Sequence, residues 1–239
     1  MILTILVSAY LISTMVLLMP LGVLAFFFYL LGLKKLMRQL MCRLGQGWSL
    51  SILKIIGCKV TVKGRENIPK KGSVCFVSNH DGYFDILLLL AYCPRHFAFI
   101  AKKELLLVPF LNAWIFMLGG LFLDRKNVRK AMRTINKGVN RLKNGGSMII
   151  FPEGSRARGR GLLPFHPGSL KLATAANAPI IPVALKGSYE AFEKNHRFNG
   201  VSMQVTFCEP IYTADLSPSE KKQALCDRVY SVIKEQLTK

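Results

Sequence analysis

No charged side chain occurs from Met1 to Leu33 of this 239-residue chain. Acids are scarce throughout: 13 Asp and Glu stand against 33 Lys and Arg, for a formal net charge of +20. A chain so short of acids wants a polyanionic partner, either nucleic acid or an anionic membrane face. The interleaved aromatic and basic residues of an RNA-binding surface are also missing, and the apolar N-terminus favours the membrane. None of the six cysteines, at 42, 58, 75, 93, 208 and 226, forms a C-x-x-C pair. That spacing argues against a zinc site and a disulfide framework, and for reduced, mostly buried thiols in a cytosol-facing domain. No Gly-x-Ser-x-Gly elbow is present, which removes the usual nucleophile of a lipid hydrolase. The sequence also lacks internal repeats and low-complexity tracts.

The 33 uncharged residues would extend about 50 Å as helix, against roughly 30 Å of bilayer hydrocarbon. Pro20 removes a helix hydrogen bond near the middle. Two geometries follow: one tilted, kinked span, or a helix–break–helix element that dips into one leaflet and returns. A cleaved signal peptide fits poorly, because no basic segment precedes Ile2 and no small-x-small site follows. Beyond it, Leu36, Leu40, Leu44 and Trp48 recur every four residues, with Lys34 and Lys35 just before them and Arg38 and Arg43 between. This pattern suits a basic amphipathic helix on a membrane surface, and the flanking charge predicts a cytoplasmic location for the remainder. Residues 1–56 are read as the membrane-embedding helical segment and 57–239 as a separate domain.

From Gly57 the pattern alternates short apolar strands with helices. Strands are expected at Cys58–Val62, which Lys63-Gly64 closes like an edge strand, and at Ser73–Ser78, Phe97–Ala101, Leu121–Leu123, Met148–Phe151, Pro179–Leu185 and Val201–Phe207. Helices are expected at Ile86–Ala91, Pro109–Leu118, Asn127–Lys143, Leu170–Ala176 and Ser217–Leu237, the last opened by Ser-Pro. The fold class is α/β, with a mixed, largely parallel sheet flanked by helices. Ligands of such sheets sit outside the strand C-termini. Two strings follow predicted strands and are expected to converge there: Asn79-His80-Asp81-Gly82-Tyr83-Phe84-Asp85 and Phe151-Pro152-Glu153-Gly154-Ser155-Arg156.

The spacing of His80 and Asp85 allows the carboxylate to hold one imidazole nitrogen, leaving the other to take a proton. Neither Ser78 nor Cys75 is placed as a nucleophile, so direct general-base chemistry on a substrate hydroxyl is the economical reading. The competing reading is a helix-capping histidine beside a solvated acid. In the second string, Arg156, Arg158 and Arg160 follow a tight turn, and the planar guanidinium fork suits phosphate oxygens. The competing reading there is a basic surface loop that meets only lipid headgroups.

Four ordered blocks give these strings a specific resemblance. They are Asn79-His80-x4-Asp85; Lys103-Glu104-Leu105 with Pro109, Gly119 and Phe122-Leu123-Asp124-Arg125; Phe151-Pro152-Glu153-Gly154-Ser155-Arg156; and Pro179-Ile180-Ile181-Pro182-Val183. The chain resembles the glycerolipid acyltransferases, and most the 1-acyl-glycerol-3-phosphate (lysophosphatidate) acyltransferases. The resemblance implies His80 as base and Asp85 as its orienting partner. It implies a phosphate grip by Arg125 and Arg156 with Lys103, an acceptor site shaped by Glu153, Gly154 and Ser155, and Pro182 on the acyl-donor side. The implied donor is acyl-CoA or acyl-carrier protein, with lysophosphatidate as acceptor and no metal or bound cofactor. Two departures stand out: Ser155 replaces a commoner threonine, and Phe165-His166-Pro167-Gly168 lacks a basic pair between Phe and Gly. His166 is expected to cap the following helix. The alternatives are the same chemistry on another lysophospholipid, glycerol 3-phosphate or a lyso-aminolipid, and a non-catalytic lipid-binding protein, which would have no chemical need of both His80 and Asp85.

Overall fold

The computed structural model describes every residue except Asp215 and Pro218, with the side chains of Lys34, Lys35, Arg38 and Pro167 also left undescribed. Three helices come first: α1 (Ile2–Leu17), α2 (Met19–Leu30) and α3 (Lys34–Ile56). Helix α1 runs into α2 through Leu18, and Pro20 falls in the first turn of α2. There a missing N–H costs nothing, since first-turn donors have no intrahelical partner. The chain therefore does not turn back at Pro20. It turns after α2, where Gly32 takes the left-handed conformation (φ 78°). Tyr10 bonds Ser51 (2.7 Å) and Trp48 donates to Thr14 (2.9 Å), an order that makes α1 antiparallel to α3. Trp114 also donates to the Met15 carbonyl (3.2 Å), so both tryptophans tie α1 to its neighbours.

Residues Ile2–Leu30 are long and apolar enough to cross a membrane, with a mean hydropathy of 2.4 over their most apolar window. Many of their side chains, among them Ile5, Leu6, Phe27 and Leu30, are exposed. An exposed apolar surface of this extent marks a membrane contact.

Seven strands follow: β1 (Lys59–Lys63), β2 (Val74–Ser78), β3 (Ala98–Lys102), β4 (Leu121–Leu123), β5 (Ser147–Ile150), β6 (Ile180–Lys186) and β7 (Ser202–Phe207). Between and after them lie α4 (Phe84–Tyr92), α5 (Leu111–Met117), α6 (Val128–Lys143), α7 (Lys171–Thr174) and α8 (Gln223–Thr238). The order across the sheet is β1-β7-β6-β2-β5-β3-β4. Only β6 and β7 pair antiparallel, as expected of a mixed, largely parallel sheet. Strands β2 and β5 are buried along their whole length, which is why they read as continuous apolar runs. One core packs α3 and α4 on one face, and a second packs α6, α7 and α8 on the other.

Strand β1 lies at the edge, as its Lys-Gly ending suggested. Asn127 caps α6 by accepting from Lys130 (3.0 Å). The C-terminal helix starts at Gln223, later than expected: Ser217 and Glu220 form a capping-box turn, but Lys222, at φ -103° and ψ -113°, leaves the helical conformation before α8 begins. The Pro218 part of that expectation lies outside the described residues. The Leu170–Ala176 helix is shorter than expected: a 3-10 turn (Pro167–Leu170) leads into α7, and Asn177, at φ 49°, closes it. All six cysteines are free, and burial pushes the Cys75 and Cys93 thiols up to about 12.

Candidate active site

Strands β6, β2, β5, β3 and β4 all point the same way, so their C-terminal ends form one edge. Asn79 and His80 follow β2, and Phe151 to Arg156 follow β5, the strand beside it. Asn79 extends the β2–β6 ladder with its side chain: Oδ1 accepts from the Leu185 amide (2.8 Å) and Nδ2 donates to the Leu185 carbonyl (2.9 Å). That anchor fixes where the next residue, His80, leaves the sheet.

His80 lies in the loop before α4, and Asp85 in the first turn of that helix. The pair does not share a helix face; the chain bends back so that Asp85 Oδ2 meets His80 Nδ1 at 2.6 Å. The same oxygen accepts from the backbone amides of Asp81 (2.7 Å) and Gly82 (3.0 Å). Asp85 is fully buried, whereas the His80 side chain keeps 20% of its surface exposed. With Nδ1 committed to Asp85, Nε2 is the nitrogen left for chemistry. The Phe151 ring stacks on the imidazole with centroids 4.1 Å apart and holds its plane.

The two loops are joined by backbone and carboxylate bonds. The Ala157 amide donates to His80 O (2.7 Å) and the Arg158 amide to Asp81 O (3.0 Å). Asp81 Oδ1 accepts from the Gly159 amide (2.8 Å). Glu153 accepts from the backbone amides of His80 (2.6 Å) and Leu163 (3.1 Å). Burial raises the Glu153 carboxyl to about 7, against those two amides, which favour its charge. Asp81 is raised too, first by burial. The expected convergence of the two strings is thus present, and Glu153 acts inside the junction.

The basic residues arrive by separate routes. Lys103, just after β3, bonds Asp124 (2.9 Å). Its neighbour Arg125, just after β4, donates to the Gly154 carbonyl. Gly154, at φ 71°, makes the turn there, and a β-carbon on it would stand 3.4 Å from the His166 ring. His166 makes no side-chain cap to the helical turn that follows, so that expectation is corrected: it lies beside the Gly154 turn instead. Ser155 is exposed. Arg156 pairs with Glu193 (2.7 Å) and lies 3.7 Å above the Tyr83 ring centroid. Pro182 is buried within β6, level with Val77 and three residues short of His80, so it stands in the sheet and not at its edge.

Sequence reasoning missed Glu193 and gave Tyr83 and Phe151 no role. No spacing links Glu193 to either string. The signal that would have drawn attention to it is scarcity: each acid in so basic a chain needs a reason to be there.

A carboxylate-held imidazole and interlocked loops at one sheet edge, in a protein with an uncovered apolar helical pair, fit a membrane-associated enzyme. The comparisons make the class definite. The chain belongs to the acyltransferase family, whose family model (Acyltransferase) matches residues 59–186, and it is an O-acyltransferase. It is 34% identical over 186 residues to the 1-acyl-sn-glycerol-3-phosphate acyltransferase of Borreliella burgdorferi, covering 77% of this chain and 72% of that one. The enzyme of the same name from Escherichia coli is 34% identical over 148 residues, covering 62% of this chain and 60% of that one. Among solved structures, the 1-acyl-sn-glycerophosphate (LPA) acyltransferase PlsC of Thermotoga maritima superposes with a TM-score of 0.81 at 29% identity, over 98% of this chain and 94% of that one.

Proposed function

We propose that the protein moves a fatty acyl chain from acyl-CoA or acyl-carrier protein to the sn-2 hydroxyl of 1-acyl-glycerol-3-phosphate. The product is phosphatidic acid, for phospholipid biosynthesis at the cytoplasmic face of a membrane. His80 Nε2 takes the proton as the hydroxyl oxygen attacks the thioester carbonyl. The C–O bond forms, the C–S bond breaks, and the departing sulfur receives the proton from the imidazolium. Asp85 holds the tautomer and steadies the transient positive charge. The acceptor phosphate rests on Arg125 and Arg156, with Lys103 nearby; Glu153, Gly154 and Ser155 shape that loop, and Pro182 supports the acyl-donor side. The reading needs no metal and no bound cofactor.

The observation that carries this reading is the 2.6 Å bond from His80 Nδ1 to a fully buried Asp85, at the same sheet edge as the arginines. The names of the relatives support the acceptor. The +20 charge suits a negatively charged lipid and a negatively charged donor. An entirely apolar cavity of about 100 Å³ supports a lipid substrate. It lies among Leu44, Trp48, Ile86, Leu90, Trp114 and Leu118, between the N-terminal helices and α4 and α5. The basic residues that flank the apolar segment support the cytoplasmic face.

The test is transfer by detergent-purified protein, with acyl-CoA or acyl-carrier protein against a panel of lyso-acceptors. Lysophosphatidate should be the best acceptor, and His80→Ala should lower turnover by about 10²–10⁴-fold while membrane association persists. Substantial residual turnover in that variant would remove His80 from the mechanism. Preference for glycerol 3-phosphate or another lysophospholipid would keep the chemistry and change the acceptor.

A further inference from the structure

We propose that Glu193 is a positioning residue that presents Arg156 to the acceptor phosphate; this rests on the reading of Arg156 given above. Glu193 stands outside both signature strings, yet its two carboxylate oxygens bridge them. Oε1 pairs with Arg156 Nη1 at 2.7 Å, and Oε2 accepts from the Tyr83 backbone amide at 2.6 Å. The guanidinium carbon then lies over the Tyr83 ring, 3.7 Å from its centroid. Both side chains of the pair are largely covered, with 18% and 10% of their surfaces exposed.

Guanidinium offers five donors in a rigid fork. One edge is fixed by Glu193 and one face by Tyr83. The remaining edge is held in orientation, as bidentate capture of a phosphate requires. Backbone around the carboxylate is fitted to it. Residue 82 is glycine where a β-carbon would stand 2.9 Å from Glu193 Oε2 and 2.9 Å from Tyr189 Cα. The segment that carries Glu193 is braced independently. Phe192 and Phe198 stack at 4.6 Å, the Asn199 amide donates to Ala191 O (2.9 Å), and the Phe198 amide donates to Thr4 Oγ1 of α1 (3.3 Å). A charge pair at a free surface would hold two mobile side chains for little gain. Here the carboxylate is set by the fold, so the arginine follows it.

The opposite sign is also physically defined. A carboxylate that merely neutralised Arg156 would compete with the phosphate, and its removal would tighten acceptor binding. Steady-state kinetics of the full chain in detergent decide between the two. The variants are Glu193→Ala, Glu193→Gln, Arg156→Ala and the double Glu193→Ala/Arg156→Ala, assayed with the best phosphate-bearing acceptor. Glu193→Ala should raise the acceptor KM about tenfold, with kcat and the donor KM within about twofold of the parent. Glu193→Gln keeps one acceptor oxygen and should recover part of the loss. The double variant should be no worse than Arg156→Ala alone. An unchanged or lowered acceptor KM in Glu193→Ala, where Arg156→Ala raises it, overturns the positioning role. Parallel losses in kcat and both KM values, with a lowered thermal midpoint in Glu193→Gln as well, reduce Glu193 to a structural bond and also overturn it. If Arg156→Ala leaves the acceptor KM unchanged, the fault lies with the reading of Arg156, and the two failures are told apart.

Discussion

At the C-terminal edge of the sheet, Asp85 is fully buried and a single one of its oxygens serves three donors, whereas in α2 the Phe27 and Leu30 side chains stand 55% and 62% exposed. One region hides its polar groups and the other displays its apolar ones. Each inversion is costly in water unless something compensates. At the sheet edge the compensation is internal, because two backbone amides and an imidazole solvate Asp85 Oδ2, while Oδ1 is buried with no hydrogen-bond partner among the described residues. In α1 and α2 it is external, because lipid covers what the protein leaves open. The contrast teaches that the chain divides its work: position is set by a closed network of bonds, and location by a surface left unfinished.

The largest expected effect comes from opening the closed network. Asp85→Ala leaves His80 Nδ1 and two backbone amides without their acceptor, so the imidazole loses both its tautomer and its orientation. Turnover should fall by about 10³–10⁴-fold, and the thermal midpoint should drop, while binding to anionic vesicles stays at the parent level. Vesicle binding that fell in step with turnover would show that the two regions are not separable.

The mirror experiment charges the open surface. Phe27→Asp and Leu30→Asp each remove about 2 kcal/mol of apolar transfer, roughly thirtyfold in partitioning, before any cost of the charge itself. Sedimentation with anionic vesicles should show that loss, and turnover in detergent micelles should stay near the parent. A fall in micellar turnover as large as the fall in vesicle binding would mean that α2 also shapes the site.

A finer comparison uses two glycines. Gly82, two residues from His80, would place a β-carbon 2.9 Å from Glu193 and from the Tyr189 backbone, whereas Gly47, on the exposed face of α3, has nothing within 4 Å. Gly82→Ala should cost about 1–3 kcal/mol through overpacking. Gly47→Ala should be neutral or stabilising by up to about 1 kcal/mol, since alanine favours helix over glycine. Thermal melts of the two variants side by side would read this directly; equal midpoints would show that the sheet edge is less tightly packed than its distances state.

The same contrast explains what could be read from the sequence. Regions governed by local pattern were legible: the apolar run of α1 and α2, the alternation of strands and helices, and the edge position of β1. His80 and Asp85 were legible because a short spacing brings them together. What was not legible depends on distant pairing. Asn79 continues the β2–β6 ladder through a residue 106 positions away, and Glu193 reaches Tyr83 from 110 positions away. Neither leaves a periodic trace. A helix boundary failed where a capped turn at Ser217 and Glu220 did not continue into the helix, because Lys222 leaves the helical conformation before Gln223. Pro20 left two geometries open, a single span or a return; the helix continues past it, and the turn lies at Gly32.

The smallest effect separates the two regions by pH. Burial lifts the Glu153 carboxyl from the ordinary 4.5 to about 7, so the folded chain holds this proton more tightly than the unfolded chain. Stability is then greatest below about 4.5, declines as the pH rises towards about 7, and levels off above it. Asp81 is shifted the same way, first by burial, so its effect on stability has the same sign. The segment from Met1 to Leu33 carries no Asp, Glu or His, so nothing in α1 or α2 titrates across that interval. Thermal midpoints taken in detergent from about pH 5 to pH 7 should fall for the parent and fall less steeply for Glu153→Gln. Identical slopes in the two proteins would show that the proton responsible for the pH dependence binds elsewhere, and that the buried carboxylate between His80 and Leu163 stays charged throughout.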